Sequence, residues 1–305
     1  MNKYGNKHYI LLVLICSFSL NAAFYKSLSS LFSYQKYEEV EQKDISLTLQ
    51  KKLILENSEG NITIKSWRQP MIILKTIKRA SQEPFLPQII INTEITDDEV
   101  IIKTVCDNDA ASYSVEYDLL IPENVSVSLK ENTGNINVGK NVGDVLVNID
   151  YGNVSVEGAR GSIEVEVAQK GSVTIEQPGD DITVSVNYGN ITIYNSKRSV
   201  YASTNSGKIK TECKFLLGDS SIELDAYGTI ILSLPPGINA DINADTQKGT
   251  VTSEHYMMIK PFITQLNNKA WLTFKRIITG TLGNGGPKID LRTVSGNIKI
   301  IKNNP

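Results

Sequence analysis

The chain has 305 residues, 41% hydrophobic and 21% charged, with 31 Lys and Arg against 33 Asp and Glu. A net charge of −2 without a basic block argues against a nucleic-acid partner. Two histidines and three cysteines, with no paired or clustered ligand spacing, leave nothing for a metal site.

Residues 1–23 have the layout of an export signal peptide. Lys3 and Lys7 form a basic start, residues 9–20 an apolar stretch, and Asn21-Ala22-Ala23 a small-residue cleavage site, so cleavage is expected near Ala23. The apolar stretch is short for a transmembrane span; an uncleaved anchor is the alternative. Cys16 follows Ile15, not the small residue that a bacterial lipoprotein signal requires, so no lipid anchor is expected. Losing two lysines with the signal moves the net charge from −2 to −4. No transmembrane segment is expected after signal removal, and the exported protein is expected in the periplasm, at the cell surface or secreted.

Residues 24–44 lack a clear period and read as a leader or linker. From Ile45 the chain is strand-rich: Leu53 and Leu55 precede Gly60-Asn61-Ile62-Thr63-Ile64, and apolar runs follow at 71–77, 88–95, 99–105 and 113–121. Asp97-Asp98 marks a hairpin turn between two of these runs. Residues 45–131 are expected to form an antiparallel or mixed β-rich section that caps the strand edge of the next region.

Residues 132–253 carry a returning phrase. Its clearest copies are Asn132-Thr133-Gly134-Asn135-Ile136, Asp150-Tyr151-Gly152-Asn153-Val154 and Asn187-Tyr188-Gly189-Asn190-Ile191, and Gly171, Gly207, Gly228 and Gly249 mark the others. The glycines step by 18, 19, 18, 18, 21 and 21 residues, a solenoid period. Two and four positions after them come pairs such as Val154 and Val156 or Ile191 and Ile193, with polar Ser155 and Thr192 between, which is one half-buried strand per turn. A second inward set follows half a turn later: Val145, Val147, Ile149; Ile163, Val165, Val167; Ile182, Val184, Val186. The expectation is an all-β, right-handed parallel β-solenoid with two strands per turn of 18–21 residues. Six turns would stack to about 30 Å. The corner glycines fit places where positive φ or close backbone approach excludes a Cβ.

Residues 254–305 break the period. Met257, Met258, Ile259, Phe262, Ile263, Leu266, Trp271, Leu272 and Phe274 form an apolar insertion, read as partly helical. Gly283-Asn284-Gly285-Gly286 then leads to strands at 289–291 and 298–300, expected as an irregular C-terminal cap. Cys106 and Cys213 are read as unbridged, although export would permit a disulfide.

The Gly-Asn-Ile/Val phrase, the Ile121-Pro122 and Leu234-Pro235 lead-ins and the closing Ser295-Gly296-Asn297-Ile298-Lys299-Ile300 resemble the bacterial "putative adhesin" family. Its members are exported β-solenoid domains, mostly of unknown function. The resemblance spans roughly residues 45–301 and implies a fold and an adhesin-like role, with no catalytic residue to carry over.

No catalytic, metal or cofactor site is expected. A calcium-binding roll would need liganding aspartates in every nonapeptide, and here they do not recur in register. Asp150, Asp180, Asp181, Asp219 and Asp225 lie near corners, but nothing pairs two of them across a glycosidic bond as hydrolysis requires. Two regular corner features remain. Asn132, Asp150, Gln169, Asn187, Asn205, Ala226 and Gln247 precede the glycines by two, a candidate hydrogen-bond ladder. Tyr151, Tyr188 and Tyr227 alternate with Lys170 and Ser206 one residue before them, a candidate ligand-binding stripe or a shield over the corner. The expected function is a non-enzymatic structural or ligand-presenting module of the cell envelope, with a surface glycan or envelope protein as partner. The alternative is a solenoid enzyme on envelope or extracellular polysaccharide.

Overall fold

A computed structural model describes residues 37–47, 51–106, 112–259 and 276–303. The expected signal peptide, and Phe262, Ile263, Leu266, Trp271, Leu272 and Phe274 of the apolar insertion, lie outside these described residues. Among the described residues the strands form two open sheets, of 12 and 13 strands.

The N-terminal section is β-rich and mixed. It comprises β1 (Tyr37–Ser46), β2 (Lys52–Glu56), β3 (Ile62–Trp67), β4 (Met71–Ala80), β5 (Ile89–Ile95), β6 (Glu99–Cys106) and β7 (Tyr113–Pro122), with a 3-10 turn at Glu83–Gln88. β1 pairs antiparallel with β4, β4 with β7, and β5 with β6 across the Asp97-Asp98 turn. β2 and β3 instead pair in parallel with their neighbours.

The periodic region follows as β8 (Ser126–Thr133), β9 (Ile136–Val138), β10 (Val145–Tyr151), β11 (Val154–Glu157), β12 (Ile163–Lys170) and β13 (Val173–Glu176). It continues as β14 (Ile182–Tyr188), β15 (Ile191–Ser196), β16 (Val200–Ser206), β17 (Ile209–Cys213), β18 (Ser221–Ala226) and β19 (Ile230–Leu234). Odd-numbered strands of this run join the 12-stranded sheet and even-numbered ones the 13-stranded sheet, so each two-strand turn adds one strand to each layer. All of these pairings are parallel and share one inward register, which shifts only toward the ends of three strands: Ile136, Val154, Val173, Ile191, Ile209 and Ile230 stack in one sheet. Val145, Ile163, Ile182, Val200 and Ile222 stack in the other. Both rows are buried between the layers, and each aliphatic side chain removed from water contributes about 1.5–3 kcal/mol. Ser155, between buried Val154 and Val156, is exposed. β-Branched residues fit this pleated, one-sided surface, which is why the pattern reads so plainly.

The chain finishes with β20 (Ala240–Thr246), β21 (Val251–Ser253), β22 (Met258–Ile259), β23 (Ile277–Leu282), β24 (Lys288–Thr293) and β25 (Ile298–Lys302). Spatial order now departs from chain order. The final pair β24/β25, expected to close the end, lies one level inside it, between β18/β19 and β20/β21. β20/β21 is the last parallel level, and β23 covers β20 as an antiparallel strand. Ser253, four positions after Gly249 where other turns carry an inward residue, is exposed there. The other end mirrors this arrangement: β2/β3 sits between β8/β9 and β6/β7, with β4 and β5 as antiparallel covers. The parallel stack therefore has ten levels and not six, spanning about 43 Å at the usual strand spacing.

Cys106 and Cys213 are not joined by a disulfide. Cys106 ends β6 opposite Ile89, while the buried Cys213 thiol donates to the Phe215 carbonyl at 3.0 Å.

Candidate functional site

The corner glycines form a continuous column. A Cβ on Gly152 would overlap the carbonyl of Gly134, one on Gly171 that of Gly152, and so on through Gly189, Gly207 and Gly228. The column then passes through Gly296 before reaching Gly249, following the interleaved strands. Close backbone approach is the common cause, since Gly134, Gly171 and Gly207 lack positive φ whereas Gly152 has φ +143°. No larger residue fits a position where one backbone lies on the next.

The side-chain ladder stands one residue after each glycine, not two before it. Asn135 donates its backbone N–H and its Nδ2 to Asn61 Oδ1 (3.0 and 3.1 Å), and Asn153 does the same to Asn135 Oδ1 (3.1 and 3.2 Å). Ser172 N–H then donates to Asn153 Oδ1, Asn190 N–H to Ser172 Oγ and Lys208 N–H to Asn190 Oδ1. At the expected position one side-chain rung forms, Asn205 Nδ2 to Asn187 Oδ1 at 3.2 Å. Asparagine after glycine is thus selected by the backbone N–H of the next turn. A second column, not expected from the sequence, crosses the opposite corner. Asp144 N–H donates to Ser126 Oγ, Ser162 N–H to Asp144 Oδ1, and Ser199 N–H to Asp181 Oδ1.

The tyrosines lie on one edge. Tyr151, Lys170, Tyr188 and Ser206 are in register on β10, β12, β14 and β16. Tyr151, Tyr188 and Tyr227 are half exposed, at 50%, 55% and 49%. Tyr227 belongs to a changed pattern: its N–H donates to Thr204 O, and Gly228 N–H donates to Gly207 O, whereas Gly189 N–H donates to Ser206 O. A cation–ring contact occurs elsewhere, with Lys210 Nζ 5.0 Å from the Tyr194 ring centre.

Of the five corner aspartates two, Asp180 and Asp219, share one partner, Arg198. Asp181 serves the second column, Asp180 and Asp219 lie 3.8 and 3.7 Å from Arg198, and Asp150 and Asp225 are exposed. Among the described residues no group of three or more His, Cys, Asp or Glu side chains could hold a metal ion.

The most perturbed carboxyl was not singled out by sequence reasoning. Glu131, 1% exposed, occupies the inward position that Ile149 and Val167 take in the next two levels. Asn57 Nδ2 donates to its Oε2 at 2.7 Å, and the Asn132 and Thr133 N–H groups donate to its Oε1. Asn57 Oδ1 in turn accepts from Thr104 Oγ1 (2.8 Å), which is 2.6 Å from the Tyr117 hydroxyl. Burial pushes the Glu131 carboxyl up to about 7 against these hydrogen bonds, with Glu59 adding a like charge. Both oxygens are engaged inside the protein, so the group acts as a packed polar strut. The alternation Val127, Leu129, Glu131 was the available signal.

This is an all-β protein of two parallel-stacked sheets whose corners are sealed by glycine and asparagine columns. The chain belongs to the Toastrack DUF4097 family, whose profile matches residues 33–301. Among solved structures it is similar to a "putative adhesin" from Bacteroides fragilis, at 13% identity and a TM-score of 0.37, covering 87% of this chain and 97% of that one. A "putative cell adhesion protein" from Clostridium sporogenes matches at 14% identity and a TM-score of 0.30, over 88% and 100%. A "putative lipid binding protein" from Parabacteroides distasonis matches at 12% identity and a TM-score of 0.23, over 87% and 97%. The curated proteins contain no match. No helix among the described residues is long and apolar enough to cross a membrane.

Proposed function

We propose that the chain is an exported, non-enzymatic, adhesin-like module of the cell envelope, wound as a right-handed solenoid and presenting its outer surfaces to a surface glycan or an envelope protein. The hand follows from the strong preference of parallel crossovers for it. Export follows from the signal-like residues 1–23, with cleavage near Ala23. The observation that carries the presenting role is the outward register. Asn137, Ser155, Thr174, Thr192 and Lys210 line up across neighbouring strands of one sheet, on a backbone fixed at both corners by side-chain columns. A rigid, polar, repeating face is suited to contact.

Two measurements test this. N-terminal sequencing of the exported protein should begin near Phe24; an intact Met1 in envelope fractions would mean an anchor. Incubation with envelope polysaccharide should release no reducing ends, and release that Asp150→Asn abolishes would replace the module by the polysaccharide enzyme. In this reading Tyr151, Tyr188 and Tyr227 shield the glycine column. Replacing all three by serine should lower Tm slightly and leave ligand retention unchanged.

A further inference from the structure

Several charged side chains at the N-terminal end are tied to one another. Lys52 bonds Glu99 at 2.9 Å, Lys78 bonds Glu41 at 2.6 Å, Arg79 bonds Glu116 at 2.7 Å and Lys103 bonds Glu56 at 2.8 Å. One outward row behaves differently. Lys75 on β4 stands opposite Asp118 on β7, Asp118 opposite Thr63 on β3, and Thr63 opposite Asn137 on β9. Directly opposed side chains on neighbouring strands are close enough to pair. Yet Thr63, Lys65, Lys75, Asp118 and Asn137 make no side-chain hydrogen bond or ion pair with other described residues. All five line one groove of about 480 Å³, where the parallel strands meet antiparallel β4.

That volume is within the range of small-ligand sites, but such sites are mostly apolar and this one is not. Ammonium donors, a carboxylate acceptor, an amide and a hydroxyl alternate along it, each with its hydrogen-bonding capacity unspent. Lys65 and Lys75 offset Asp118 and the Arg79-bound Glu116, so the lining does not favour a polyanion. Alternating donors and acceptors without net charge match a ligand in which every polar group both donates and accepts. We infer that this groove binds a neutral, hydroxyl-rich oligosaccharide. The inference rests on the ligand-presenting reading and gives it a site distinct from the tyrosine edge.

The test is an array of neutral hexose and N-acetylhexosamine oligomers, probed with the purified chain and two variants. These are Lys75→Ala combined with Asp118→Ala, and Asn137→Ala alone. All three side chains are exposed and make no hydrogen bond or ion pair with other described residues, so Tm should not move. The expected result is retention on at least one neutral oligomer, reduced roughly tenfold or more by the double variant, the size of losing a charged hydrogen bond. The tyrosine triple variant should retain it fully. Retention lost in the tyrosine variant and kept in the groove variants would overturn the groove while leaving the presenting role standing. So would binding confined to sulfated or uronate polymers, or to envelope protein with no neutral oligomer retained. Failure of the presenting reading shows separately, as release of reducing ends.

Discussion

The middle of the stack and its two ends solve different problems with the same strands. From β10 to β15 each level repeats the last, the inward column is Ile149, Val167, Val186, and spatial order is chain order. Beyond these levels that column turns polar, with Glu131, Asn57 and Thr104 on one side and Thr204, then Thr293 and Thr246 past Ala226, on the other. There the terminal strand pairs are tucked one level inward, beneath antiparallel β4, β5 and β23, while β21 ends its sheet among the described residues. A middle level meets another like itself above and below. An end level would offer bare N–H and C=O groups to any passing strand, and must be covered. Periodicity therefore suffices for the interior of the stack, and capping requires sequence that breaks it.

The largest effect should come from moving an end feature into the middle. Val167→Glu places a carboxyl two levels along from Glu131, without an Asn57 to bond it, and should cost about 4 kcal/mol or more in denaturant unfolding. Its exposed neighbour Glu166→Gln should change stability by less than about 0.5 kcal/mol. Equal midpoints for the two would break the assigned register.

Next, Gly152→Ala forces a Cβ onto the Gly134 carbonyl at a φ of +143° and should cost roughly 3 kcal/mol. Gly218, outside the stack with nothing within 4 Å of its would-be Cβ, should accept alanine at less than about 0.5 kcal/mol. A tolerant Gly152 would mean that the turns can separate.

The N-terminal polar core should make the whole domain pH-dependent. The folded protein keeps a proton on Glu131 up to about 7, against a value of 4.5 for the free group. Between those values the folded state holds more protons than the unfolded one, so stability falls as pH rises through this window and levels off above it. The loss should approach 2–3 kcal/mol. Unfolding followed from pH 4 to 8 should show this slope, and Glu131→Gln should flatten it; an unchanged slope would assign it elsewhere.

The smallest effect separates the two ladder positions. Asn153→Ala removes two side-chain hydrogen bonds at an exposed corner and should cost about 1 kcal/mol. Asn132→Ala, two residues before its glycine, should cost less than about 0.5 kcal/mol.

Sequence alone determined the parts of this protein that repeat. Alternation of β-branched residues placed the inward rows, and glycine spacing placed the corners, because both depend on local geometry that recurs each turn. What only the tertiary structure decided is everything set by the neighbouring level. The Gly-Asn pairing serves an N–H about 18 residues further on, so its role appears only once the levels are stacked. Glu131 reads as one more charge until Asn57, 74 residues earlier, arrives beside it. The row from Lys75 to Asn137, unpaired among the described residues, runs β4, β7, β3, β9, an order that the chain does not follow. The final strands carry the same phrase as the others, and nothing in that phrase says which level they enter. Parallel pairing is equally satisfied at any open edge, and the choice rests on which neighbours the rest of the chain has already supplied.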